Sequence, residues 1–217
     1  MAKVKIGNVY PTDEYLLARC APAGYGWGDG SPAAQFNASN VNRTAVFVSV
    51  GEDMPTNDSA WLCEFYATSY DGSGNYGHMV ASCQGGVAKG CCCIRLKENG
   101  VYSEWEWENP PMQVGVEYRT TERWQGKPVY CKVVDFGGLP NTTTVAVPIG
   151  AENIKWAFLD LSKSWAGPAS DLTTNYMTNW ANITEMFVNN GHISITTNAN
   201  LTGTLAYITV KYTKTTD

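Results

Sequence analysis

Successive side chains of a β-strand point to opposite faces, so β-favouring residues in a two-residue rhythm mark a strand with one buried side. The strongest such signal is residues 116–140, VEYRTTERWQGKPVYCKVVDFGGLP. At its centre Gln125-Gly126-Lys127-Pro128 is a turn signal, because Gly supplies backbone angles that other residues resist and Pro interrupts ladder hydrogen bonds. Before the turn, Tyr118, Thr120, Glu122 and Trp124 share one face, and Arg119, Thr121 and Arg123 the other. After it, Tyr130, Lys132, Val134 and Phe136 oppose Val129, Cys131, Val133 and Asp135. The pattern predicts a two-stranded antiparallel ribbon, closed by the Gly138-Leu139-Pro140-Asn141 break.

The same reading gives strands at 44–50, 60–70, 78–83, 87–96 and 101–107, then at 142–147, 154–165, 183–188, 192–197 and 205–212. Over 101–107, Val101, Ser103, Trp105 and Trp107 fall on one face, against Tyr102, Glu104 and Glu106. Over 154–165, Ile154, Trp156, Phe158 and Asp160 alternate with Lys155, Ala157, Leu159 and Leu161. Residues 71–77 (DGSGNYG) and Lys97-Glu98-Asn99-Gly100 read as turns. No stretch carries a 3.6-residue apolar rhythm, so neither a helix nor an internal repeat is expected. Pro110-Pro111 cannot continue a central strand and stiffens the chain as a spacer. The expected organisation is an arm or linker over 1–15, one domain over 16–110 and a second over 111–217. The fold class is all-β: two small antiparallel β-sandwich domains in tandem.

Composition narrows the partners. Charged residues make up 16% of the chain, against ~25% in a typical soluble domain, and polar surface must come from amides and hydroxyls. A formal charge of −5 argues against nucleic-acid binding, which needs a basic footprint. No apolar run approaches the ~18 residues of a bilayer span, and MAKVKIGNVYPTDE lacks a secretion signal's apolar core. No membrane insertion is expected. The seven cysteines are an odd number. Cys91, Cys92 and Cys93 cannot converge on one metal from a strand, because the middle thiol faces away from its neighbours. They read as buried apolar thiols, which fits assembly in a reducing cytoplasm. No metal and no cofactor are expected.

The run TTERWQGKPVYCKVVDFGGLPN resembles a segment in the C-terminal regions of bacteriophage tail-fibre and receptor-binding proteins. In those proteins a hairpin with a W-x-G-K-P-V-Y turn is followed by a K-V-x-D-F-G-x-L-P-N exit. The last strand, AYITVKYTK at 206–214, is similar to their closing strand, so the resemblance covers residues 112–217. Arg95 through the Gly100 turn to Tyr102-Ser103-Glu104-Trp105 looks like the last hairpin of the pyocin-knob modules on phage and bacteriocin fibres. The resemblance implies a homotrimer on a virion, assembled in the host bacterial cytoplasm. It also implies other fibre, tail or capsid proteins as neighbours and a bacterial surface glycan as ligand.

Catalytic motifs are missing: there is no G-x-S-x-G elbow, P-loop or G-x-G-x-x-G, and Gly24-Tyr25-Gly26-Trp27-Gly28 lacks a strand–helix context. His78 and His192 each sit by a strand with no partner close in sequence and read as strand-end residues. A glycan-cleaving fibre would need two carboxylates ~5–10 Å apart. Glu104, Glu106 and Glu108, or Asp160, Asp171 and Glu185, are available, but carboxylates on every second residue more often mark a solvated edge. The six N-x-S/T sequons are what a chain rich in Asn and Thr contains by chance. Eight Trp and twelve Tyr exceed what two small cores need. Aromatic faces with amide and hydroxyl neighbours suit the apolar faces and hydroxyl edges of sugars. The richest loop runs from Trp165 to Trp180, and Trp165, Asp171, Asn175, Tyr176 and Trp180 are the candidate carbohydrate-binding residues. The competing reading packs each ring in a core or a trimer contact. The loop from Tyr25 to Asp29 is a lesser candidate. A non-enzymatic receptor-binding tip is thus set against a capsid or tail decoration such as a head fibre, and against a capsule-degrading enzyme.

Overall fold

A computed structural model describes residues 38–41, 44–57, 59–69, 73–170 and 182–217. The described residues are almost entirely β-strand, with antiparallel pairing between all the named strands. The all-β expectation holds. The chain divides into two compact units between Asn109 and Pro110.

In the first unit β1 (Ala45–Ser49), β2 (Trp61–Ala67), β3 (Gly77–Cys83) and β4 (Cys92–Glu98) pair in chain order. Two short strands, β5 (Val101–Tyr102) and β6 (Glu106–Trp107), both pair with β4. Burial alternates residue by residue, and register lines up rows such as Phe47, Cys63, Ala81 and Cys93 on one inner face. The predicted single strand over 101–107 is broken at 103–105. That break brings Tyr102 and Trp107 to the same inner side, where Tyr102 meets Phe65 and Trp107 meets Trp61 edge-on. The predicted strand at 87–96 starts only at Cys92, because 86–90 forms a turn that returns Gly90 N–H to the Cys83 carbonyl. Gly77 is required where it stands: a Cβ there would lie 2.7 Å from the Phe65 ring and closer still to the Tyr66 carbonyl.

The second unit contains β7 (Glu117–Trp124), β8 (Lys127–Gly138), β9 (Thr144–Pro148), β10 (Ile154–Leu159), β11 (Trp165–Pro168), β12 (Ile183–Asn189), β13 (His192–Thr197) and β14 (Thr204–Lys214). The larger sheet runs β7, β8, β14, β10, with β11 sharing the β14 edge that β10 uses. The smaller sheet runs β12, β13, β9. Tyr130, Val134, Phe136, Ile193, Ile195, Ile208, Val210 and Tyr212 pack between the two sheets as one core, which is a sandwich. The organising hairpin forms as expected, but its turn is only Gln125 (φ 49) and Gly126 (φ 80), the left-handed pair of a tight two-residue connection. Pro128 belongs to the strand, opposite Arg123.

The predicted strand over 154–165 is interrupted. The chain leaves the β14 edge after Leu159, makes a 3-10 turn at Leu161–Lys163 and rejoins at Trp165. Polar groups hold this excursion: Thr209 N–H donates to Ser164 Oγ at 2.8 Å, Ser164 Oγ–H donates to the Asp160 carbonyl at 2.8 Å, and Thr209 Oγ–H donates to the Lys163 carbonyl at 2.6 Å. Residues 166–168, expected in a loop, continue as strand.

Candidate functional site

The hairpin that dominates the sequence also shapes the most suggestive surface. Its register shifts between Arg119 and Arg123, and a bulge bends the strand that carries it. The outer half of β7 thereby reaches residues of strands that it does not pair with. Glu122 contacts Lys211 Nζ of β14 at 2.7 and 2.8 Å, although β8 separates the two in the sheet. Trp124 meets Phe158 of β10 with ring centroids 6.0 Å apart and planes inclined by 46°.

These rings are open to solvent: Trp124 is 45% exposed, Phe158 38%, and Trp156, two residues along β10, 49%. Phe158 lies opposite Lys211 and Trp156 opposite Thr213 in the β10–β14 register. The excursion after Leu159 places Asp160 against the same ammonium, with Asp160 Oδ2 3.2 Å from Lys211 Nζ. Ser162 Oγ–H donates to the other carboxylate oxygen at 2.6 Å. Burial by itself would lower the Lys211 pKa, but hydrogen bonds and charge from Glu122 and Asp160 outweigh it and hold the ammonium above the ordinary lysine value. Burial would raise Asp160, and the Ser162 and Lys211 contacts outweigh that too, keeping the carboxyl below its usual range. The result is a bent aromatic platform edged by ionised groups in fixed positions. Such a carboxylate accepts hydrogen bonds and is a poor proton donor.

The residues expected to bind sugar are not assembled by the described structure. Trp165 is half-buried on β11, opposite Tyr207, with the two rings 5.8 Å apart. Asp171, Asn175, Tyr176 and Trp180 lie outside the described residues, as do the loop from Tyr25 to Asp29, the 1–15 segment and Cys20. The sequence did contain the signal for the platform. Alternation puts Trp124 and Glu122 on one face of their strand, and Phe158, Trp156 and Asp160 on one face of theirs. What it lacked was the information that the two faces meet.

Other candidates resolve individually. Glu104 and Glu106 do not line one strand face, since β5 and β6 are separate; Glu106 is buried and Glu104 exposed. Glu185 is exposed on β12. His78 stacks on Tyr66 at 5.0 Å, and His192 Nδ1 lies 2.9 Å from the Asn190 carbonyl. Cys91 and Cys93 are buried, Cys92 is half-buried beside Ser82, and the six described cysteines are free thiols. Burial pushes the Cys63 thiol up to about 12 and raises Cys93 as well. Among the described residues no cluster of three His, Cys, Asp or Glu side chains could hold a metal.

No family model and no curated protein matches the chain. Two solved structures are similar to it. One is a C-terminal part of the P. aeruginosa R1 pyocin fibre, 7% identical, covering 84% of this chain and 67% of that one with a TM-score of 0.30. The other is an N-truncated R2-type pyocin tail fibre, 8% identical, covering 83% of this chain and 94% of that one with a TM-score of 0.26. Likeness at that level is no ground for function.

Proposed function

We propose that this chain is a virion-associated fibre or receptor-binding tip that attaches to a bacterial surface glycan without breaking a bond. The observation that carries the reading is the solvent-open Trp124–Phe158 pair beside the Glu122–Lys211–Asp160 bridge. An aromatic face is electron-rich and attracts the polarised C–H groups on one side of a pyranose, while the fixed ionic groups at its edge meet the hydroxyl rim. The residues of the tail-fibre-like run form the outer part of β7 and all of β8, and those of the similar closing strand form most of β14, so the resemblance and the platform share strands. Weak sites repeated in a homotrimer would gain avidity without tight individual contacts. Free thiols fit assembly in a reducing cytoplasm before use outside the cell.

Adsorption of the soluble protein to a panel of bacterial strains tests this. Trp124→Ala combined with Phe158→Ala is expected to weaken adsorption by about tenfold or more, as loss of an aromatic hot spot does. The urea midpoint should barely move, because both rings are surface residues. Adsorption to no strain, or equal adsorption by the double variant, would sink the idea. Release of reducing ends from capsular polysaccharide would replace it with a catalytic one.

A further inference from the structure

The second unit has a concave site away from the platform. A cleft of about 460 Å³ opens between β10 and the β12–β13 turn, within the range of small-ligand sites. Its apolar lining is Ala151, Ile154, Ala157, Val188 and Gly191, and its polar lining comes from Asn153, Lys155 and Asn190. Asn153 (φ 58) and Asn190 (φ 48) both hold left-handed backbone angles, a conformation that Asn tolerates better than most residues. Their carbonyls are engaged: Thr215 N–H donates to Asn153 O at 2.8 Å, and Asn190 O lies 2.9 Å from His192 Nδ1. Both asparagines are exposed at the cleft. Lys155 makes no ion pair among the described residues, in a chain whose formal charge is −5.

We infer that this cleft is a subsite for a carboxylate-bearing sugar residue, with the Lys155 ammonium facing the carboxylate, the Asn153 and Asn190 amides reading ring hydroxyls, and Ile154 and Val188 among the apolar groups that meet the ring's C–H face. Taking the ligand as a glycan rests on the attachment reading; the carboxylate follows from a cation without an ion pair that shares the cleft with two amides, which both donate and accept.

The test is binding of glucuronate, N-acetylneuraminate, glucose and acetate to the intact chain, followed by NMR shifts and competition. One or both sugar acids should bind at least several-fold tighter than glucose and acetate, with shifts confined to residues 151–157 and 188–191. Which acid binds tighter distinguishes a uronate from a nonulosonate residue. Lys155→Gln should weaken the acid about tenfold, the loss of one charge-assisted hydrogen bond, and leave glucose unchanged. Asn190→Gly deletes the amide yet keeps the left-handed backbone, and should weaken the acid a few-fold. Equal binding of acetate and the sugar acids, no binding of either acid, or indifference to Lys155→Gln would overturn the inference. Cell adsorption through Trp124 is read independently, so a failure of the subsite and a failure of the attachment reading are told apart.

Discussion

The ring-and-cation cluster of the first unit and the platform of the second differ in exposure. In the first, the Arg95 guanidinium lies 4.0 Å from the Tyr102 ring and 4.3 Å from the Trp105 ring, and Arg95 is only 6% exposed. Lys97 sits 4.9 Å from the same Tyr102 ring and donates to the Val41 carbonyl, which also accepts from Tyr102 Oη–H. Burial lowers the Arg95 pKa and lifts the Tyr102 phenol to about 12. At the second unit's platform the rings stay open to water and Lys211 is bridged by carboxylates, while elsewhere in that unit Lys214 lies 4.3 Å from the buried Tyr130 ring. Charge stacked on rings inside a sheet's inner face is structural, because a desolvated cation–π contact contributes about 2 kcal/mol or more. Rings left in water contribute little to folding, and their exposure is better explained by something that lands on them.

That contrast can be broken first at Arg95. Arg95→Ala should cost about 3 kcal/mol of first-unit stability, from the lost ring contacts and the space left behind. A urea titration followed by Trp fluorescence reads it, and a change under 1 kcal/mol would mean the stack is incidental. Gly77→Ala comes next, at about 1–3 kcal/mol, because the new methyl must displace the Phe65 ring or the backbone. In the second unit, Ser164→Ala removes the acceptor of a buried N–H at Thr209 and should cost about 1–2 kcal/mol. The same change should loosen Asp160 and reduce cell adsorption, which Gly77→Ala should not.

The smallest effect is on pH dependence. The Asp160 carboxyl lies below its usual range when folded, so its contribution is present above the ordinary Asp value of about 3.9 and fades as pH falls through the folded value. Lys211 lies above its ordinary value, so its contribution holds below about pH 10.4 and is lost as pH rises through the folded value. Stability should therefore be flat between these limits as far as this bridge is concerned. Asp160→Asn should shrink the acid-side slope in a series of urea melts; an unchanged slope would show that the bridge is too screened to matter.

Much of this was legible beforehand at the level of single strands and turns. Gln125-Gly126 and Asn99-Gly100 announce tight turns, and both form them with positive φ at each residue. The alternation along β1 to β4 reappears as burial, whereas β8 is buried on both faces over much of its length. The chain departs from its local pattern where distant contacts decide. IKWAFLDLSKSW alternates straight through the point at which the chain steps off the β14 edge, since the excursion is held by Thr209, far away in sequence. The single strand read into 101–107 fails for the same reason: what stops it is the packing of Tyr102 and Trp107 against β2, which local alternation does not report.

Backbone sterics and the two-residue repeat act within a few residues, and they settled which side chains travel together: Glu122 with Trp124, and Phe158 with Asp160. Whether such a face ends in a core or in water depends on what the rest of the chain brings to it. For these four residues the answer came from a bulge in β7 and from Lys211 on β14, long-range partners whose choice is a matter of total burial and pairing.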